Sequence, residues 1–271
     1  MERLLRIDRR CIFAMIFLAV LVPFLTNLKF ALGTPSPSTS DVFAFIDRLP
    51  PRSVVILAFD YGPAAMPELQ PMAMALCRHA FRRHLRVLCV TLNPQGFMLA
   101  DKVLTKVGAE AGAKYAADYA NLGFKPGYVA VIQSLGSSIP ATYPQDTKGT
   151  ATANMPVMKG VRDYSDVGLI LDLASSNSPG AWIAYAHERH NVPIAIGVTA
   201  VMATEAYVFY QAKQVVGLLN GLKGAAEYEG LINRPDLGTL GMASQSIAHV
   251  VIIAFVILGN IGYFASRRKR R

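Results

Sequence analysis

Val54-Val-Ile-Leu-Ala-Phe59 and, one helix-length later, Val87-Leu-Cys-Val-Thr-Leu92 are short apolar runs in which polar residues do not alternate with apolar ones. A strand with one wet face alternates, so runs of this kind belong to strands covered on both faces. Helical periodicity fills residues 66–84 and returns over 98–113. Further apolar runs follow at Tyr128-Val-Ala-Val-Ile132, Val167-Gly-Leu-Ile-Leu-Asp-Leu173 and Val192-Pro-Ile-Ala-Ile-Gly-Val198. Helices are expected over 181–190, 203–211 and 218–233. Strands that alternate with helices are joined by right-handed crossovers and lie parallel. The expectation is a Rossmann-like, doubly wound α/β domain over residues 53–240, built on a mainly parallel five-stranded sheet.

In such folds ligands bind beyond the carboxyl ends of the strands. The residues placed there are Asp60 and Tyr61 after the first strand, Gln133 and Ser134 after the third, Ser175, Ser176 and Asn177 after the fourth, and Thr199 after the fifth. Asp172 lies inside the fourth strand. If the first and fourth strands are neighbours, Asp60 and Asp172 form a carboxyl pair suited to a cation or to acid–base work. The same residue types also serve as turn formers and caps, and a strand-end carboxylate commonly accepts from backbone amides.

Outside this domain stand two longer apolar runs, 11–28 and 247–264, each about long enough to cross a hydrocarbon core. Arg3, Arg6, Arg9 and Arg10 precede the first, and Arg267 through Arg271 follow the second. Most of the net charge of +9 therefore sits beside the apolar runs, and residues 33–245 are nearly neutral. Basic flanks stay on the cytoplasmic side. The chain is accordingly read as a cytoplasmic tail (1–10), a first transmembrane helix (11–32), a linker with a short helix (33–52), the α/β domain, a second transmembrane helix (244–265) and a second cytoplasmic tail (266–271). Both termini are expected in the cytoplasm and the domain on the far side of a cell membrane, with a bacterial inner membrane as the setting. A cleaved signal peptide ending near Ala31 or Gly33 is the alternative for the first run and leaves the domain on the same side.

The charge is thus a topology signal, and no nucleic-acid partner is expected. Of three cysteines, Cys11 falls in the first span, while Cys77 and Cys89 lie in apolar surroundings and read as free buried thiols. No metal-ligand spacing occurs, and His187-Glu188-Arg189-His190 is not an HExxH helix. GxGxxG, GxxxxGK[ST] and GxSxG are all absent, so no cofactor or nucleophile is named. Arg78, His79, Arg82, Arg83, His84 and Arg86 form a basic cluster, read as a solvated helix face. Residues 136–166 show no periodicity and read as a long loop, of the kind that forms lids or binding surfaces.

The last apolar run carries Gln245, His249 and Asn260. Polar side chains in a span usually face other helices, so these three are candidate contacts with another integral membrane protein or with a second copy, beside the lipid bilayer itself. Two functions follow. One is a membrane-anchored extracytoplasmic binding or scaffold subunit of a membrane complex. The other is a membrane-bound enzyme acting on a small polar or phosphorylated substrate at the strand-end crevice.

Overall fold

The computed structural model describes residues 8–30 and 33–268. The chain divides into two compact units, Leu32–Gly238 on the one hand and Met1–Ala31 with Thr239–Arg271 on the other.

The larger unit opens with α2 (Pro37–Arg48), the short helix expected within residues 33–52, which begins directly after Ser36. Proline suits the first turn of a helix, where its missing N–H costs nothing. There follow β1 (Val54–Asp60), α3 (Met66–Arg82), β2 (Arg86–Thr91), α4 (Gly96–Ala111), β3 (Tyr119–Phe124), α5 (Tyr128–Ser137), α6 (Ile139–Thr142), β4 (Val167–Ala174), α7 (Ser178–Trp182), a π-helical turn (Ile183–His187), α8 (Glu188–His190), β5 (Ile194–Val198), α9 (Ala203–Gln211), β6 (Gly217–Asn220) and α10 (Gly221–Leu231). All strand pairs are parallel, in the order β3-β2-β1-β4-β5-β6. The sheet therefore has six strands, one more than expected. Its winding reverses between β1 and β4.

Both faces of the sheet are covered. Val55, Leu57 and Phe59 of β1 pack with Leu169, Leu171 and Leu173 of β4 beneath α3, α4 and α10. The intervening residues Val54, Ile56, Ala58, Ile170 and Ala174 pack with Val131, Ile132, Trp182 and Ile183 on the other side. All seven residues of β1 are buried, as its unbroken apolar run requires.

Three expectations are corrected. Residues 128–132 are not the third strand but the first half of α5, whose buried side is Val131, Ile132 and Leu135. That i, i+1, i+4 set is a helical stripe, and five residues were too short a window to separate it from a buried strand. The true third strand, Tyr119–Phe124, carries Asn121 and Gly123 and shifts register against β2 between Cys89 and Val90. The second correction concerns β6. Its four residues fall where the start of a helix was expected, and the helix begins only at Gly221, a residue with φ of 53°. Third, residues 136–166 are not a structureless loop. They bury Ile139, Tyr143, Met155, Val157 and Tyr164, and their backbone meets the β3 side of the sheet through Thr147 N–H to Asn121 O (3.0 Å) and Val157 N–H to Ala116 O (2.9 Å). Covering a sheet edge in this way removes a template for unwanted strand pairing.

The smaller unit holds α1 (Arg9–Thr26) and most of α11 (Leu237–Arg268). Both helices are long and apolar enough to cross a membrane: 18 residues in the first and 28, from Leu237 to Phe264, in the second. Side chains such as Phe13, Phe17, Leu25, Val250, Ile253 and Phe264 are exposed along them. Asp8 caps α1 by accepting from Arg10 N–H (2.9 Å), and Asn27 ends it in a left-handed conformation. Of the segments expected from the sequence, 1–7 and 269–271 in the basic tails, and 31–32 at the end of the first span, lie outside the described residues.

Candidate functional site

The winding reversal puts β1 beside β4, with Ala58 opposite Asp172 and Asp60 opposite Ala174. Residues two apart share a face, so Asp60 and Asp172 point to the same side of adjacent strands at the carboxyl end of the sheet. Neither reaches solvent, at 1% and 0% exposure. Asp60 accepts from Leu92 N–H through Oδ1 (2.6 Å) and from Trp182 Nε1–H through Oδ2 (3.1 Å). Asp172 accepts from the Ser178 hydroxyl at 3.1 Å. The two carboxyl groups are close enough for each to alter the other's ionisation.

That proximity sets the chemistry of the pair, since two like charges side by side in a dry site disfavour double ionisation. Burial is the largest influence on both. It raises Asp60 to about 6 against the opposing pull of the Leu92 amide, Trp182, Asp172 and Ser178. Asp172 is raised further, by burial and then by the negative charge of Asp60, because like charges this close do not both ionise. Of the two, Asp172 is held the more firmly in its protonated form.

Overhead, Trp182 and Tyr143 are wholly buried. Tyr143 comes from the 136–166 segment. Its hydroxyl has no hydrogen-bond partner among the described residues, and its pKa is raised by burial and then by Asp60. The arrangement places the carboxyl pair in a dry pocket and ties β1 to the β2 turn and both β1 and β4 to α7. Gly96 keeps that turn tight, since a Cβ there would lie 2.1 Å from Phe59 O and 2.3 Å from Thr91 Oγ1.

The other strand-end residues do not join the pair. Tyr61 points to the opposite face, stacked on Phe59 and donating to Gln70 Oε1 (2.9 Å). Gln133 and Ser134, expected at a strand end, lie exposed on α5, where the Ser134 hydroxyl bonds back to Ala130 O (2.7 Å). Ser175, Ser176 and Asn177 form an exposed turn, with Ser175 N–H on Asp60 O (3.3 Å). Asn177 borders a cleft of about 240 Å³ with Pro179, Val198, Met202 and Phe209, and the buried Thr199 follows Val198. Gln245, His249 and Asn260 are exposed on α11, and Asn260 Nδ2–H bonds back to Val256 O (2.9 Å).

The basic cluster is another correction. Arg78 and His79 are buried rather than solvated. Arg78 bridges Glu110 (3.0 Å) and Asp236 (2.7 Å). His79 contacts the Tyr228 hydroxyl (2.7 Å) and stacks on Phe43, and burial lowers its pKa to about 4. His187 and His190 have separate partners, Val192 O and the Tyr164 ring. Cys77 and Cys89 are buried and free.

Trp182, Ser178 and Tyr143 were missed from the sequence. The one available signal was Trp182, since the N–H of a buried indole needs an acceptor and the nearest strand ends offer carboxylates.

No protein-family model matches the chain, and a search of curated proteins finds no match either. Among solved structures, the trehalose-6-phosphate synthase OtsA superposes with a TM-score of 0.34 at 10% identity, over 89% of this chain and 48% of that one. The chain thus spans about half of that structure.

Proposed function

We propose that the chain is a membrane-anchored extracytoplasmic binding or scaffold subunit of a membrane complex, held by two spans with both termini in the cytoplasm of a bacterial inner membrane. The observation that carries this reading is the way the ends of the domain are fixed. Glu227 and Glu229 are 3% and 1% exposed on α10. The first receives the hydroxyls of Ser36 (2.7 Å) and Thr39 (3.0 Å), where the chain comes in from α1. The second receives the amides of Asp236 and Gly238 (both 2.8 Å), where the chain leaves into α11. Both connections to the apolar helices are therefore rooted within one turn of a single helix. Two chain ends that leave the domain side by side suit attachment through two spans, and Gln245, His249 and Asn260 are the candidate polar contacts along the second.

A second reading, a membrane-bound enzyme for a small polar or phosphorylated substrate, is favoured by one fact: a buried carboxyl pair at the point where the sheet reverses its winding, the usual ligand position of such sheets. Against it, the pair has no exposure and its oxygens already hold internal donors.

Mild-detergent purification of the tagged full-length protein, with mass spectrometry of what accompanies it, separates the two. The scaffold reading expects an integral membrane partner or a defined self-oligomer that is lost in Asn260→Leu and kept in Asp60→Asn. A monomer that carries a small polar ligand, released by Asp60→Asn, overturns it in favour of the enzyme.

A further inference from the structure

The helices that return from the carboxyl edge of the sheet end at its opposite edge, and there α3, α4 and α10 enclose a cavity of about 410 Å³ lined by Arg78, Phe81, Arg82, Val107, Ile232 and Arg234, with Glu110 among its other walls. It is far from the carboxyl pair in the fold and plays no part in that site. Three guanidinium groups share it with one carboxylate. Asp236 faces Arg78 from behind, and Lys106 adds its field at Glu110, so the neighbourhood holds four cations against two anions.

The internal hydrogen bonds do not use up this charge. Arg78 is 91% buried, counting from its 9% exposure. Its Nε and Nη2 are taken by Glu110 and Asp236, but its Nη1 is buried without a partner among the described residues. An unpaired donor on a buried cation is expensive. Arg82 spends one nitrogen on Ile232 O (3.1 Å), which closes the end of α10, and Arg234 spends one on Glu110 (3.0 Å). Both are otherwise exposed at the rim. Planar guanidinium forks with free N–H groups match the oxygens of a phosphoryl group. Phe81, Val107, Ala111 and Ile232 make an apolar part of the lining beside the polar His84 and Asn233, and the volume falls within the range of small-molecule sites and well above that of a lone ion.

We propose that this cavity binds a phosphate ester with a short apolar substituent, its phosphoryl oxygens on Arg82 and Arg234, beside the buried charge of Arg78, and its carbon atoms on Phe81, Val107 and Ile232. The ester group can belong to an anionic lipid or to a free metabolite, and the chemistry of recognition is the same.

Calorimetric titration of the full-length protein in a neutral detergent with hexyl phosphate tests this. One saturable site is expected, weakened about tenfold or more in the Arg82→Ala/Arg234→Ala double variant, since two charge-assisted contacts are lost, and unchanged in Lys159→Ala, an exposed cation elsewhere on the domain. Arg82→Lys, which keeps the charge and loses the fork, should fall between. Displacement of hexyl phosphate by phosphatidylglycerol nanodiscs identifies the lipid source, and displacement by glycerol phosphate alone identifies the soluble one. Absence of saturable binding, or binding indifferent to the double variant while its thermal midpoint stays native, overturns the proposal.

Discussion

Asp60 and Asp172 on one side of the domain and Glu227 and Glu229 on the other are all nearly inaccessible, yet the two pairs are held in different ways. The aspartates face each other across adjacent strands, and burial drives both toward the protonated form. Glu227 is buried nearly as well, but burial there is outweighed by Lys223, Ser36 and Thr39, and its pKa is lowered. Glu229 receives two backbone amides. Burial alone therefore does not set the state of a carboxyl group. What decides it is whether the fold brings donors or a second acceptor to the same spot.

The largest effect that would break this contrast is on Asp60. Asp60→Ala strands the Leu92 amide and the Trp182 indole N–H in a dry site and opens a small void. It should cost about 3–4 kcal/mol in chemical denaturation. Asp172→Asn keeps a donor toward Asp60 and should cost less than about 1 kcal/mol. Equal losses from the two changes would mean that the proton is not on Asp172.

Dependence on pH follows from the same assignment. A raised carboxyl pKa means that the native state binds more protons than the unfolded chain once the pH exceeds the unfolded value, so stability falls as pH rises. Asp60 contributes between the ordinary carboxylate value of 3.8 and about 6, and Asp172 contributes in the same sense to higher pH. Between about pH 4 and pH 6 the wild type should lose about 1.4 kcal/mol for each unit rise in pH more than Asp60→Asn does. Parallel pH profiles for the two proteins would remove the raised pKa of Asp60.

On the other side of the domain, Glu229→Ala leaves the buried amides of Asp236 and Gly238 without acceptors. A loss of about 2–3 kcal/mol is expected, accompanied by faster proteolysis near residue 236, because the exit of the chain from the domain is what this carboxylate holds.

The centre of the sheet was legible from sequence and its margins were not, for a physical reason. β1, β2, β4 and β5 are flanked by strands and covered on both faces, so they must be apolar throughout. β3 needs less because residues 136–166 cover its side, and it tolerates Asn121 and Gly123. β6 is a margin of only four residues. Asp60 and Asp172 could be nominated because strand ends collect ligands and neighbouring strands bring such ends together. Tyr61 could have been rejected on the same grounds, since consecutive strand residues face opposite sides. Tyr143 was out of reach because a connection distant in sequence supplies it, and Trp182 was signalled only by an indole N–H that needs an acceptor when buried. The burial of Arg78 and His79 was hidden for a related reason: their partners Glu110, Asp236 and Tyr228 lie more than thirty residues away.

The smallest effect tests what lowers Glu227. Lys223 pairs with it one turn away, but Lys223 is 58% exposed and Glu227 is 3% exposed. An exposed partner is screened and gives up side-chain entropy, so Lys223→Ala should cost no more than about 0.5 kcal/mol. Thr39 is fully buried and donates its hydroxyl to the same carboxylate. Thr39→Val preserves its shape and removes that donor, at an expected cost of about 1–1.5 kcal/mol. The ranking of these two changes matters more than either value. Were Lys223 the costlier loss, Glu227 would be an ordinary helix-surface ion pair, and the anchoring of Ser36 and Thr39 would follow from the packing of α2 rather than from the carboxylate. If Thr39 is the costlier, the hydroxyls that meet the incoming chain are what keep a buried Glu227 ionised, and any movement of that chain segment would be felt first as a change in the charge state of α10.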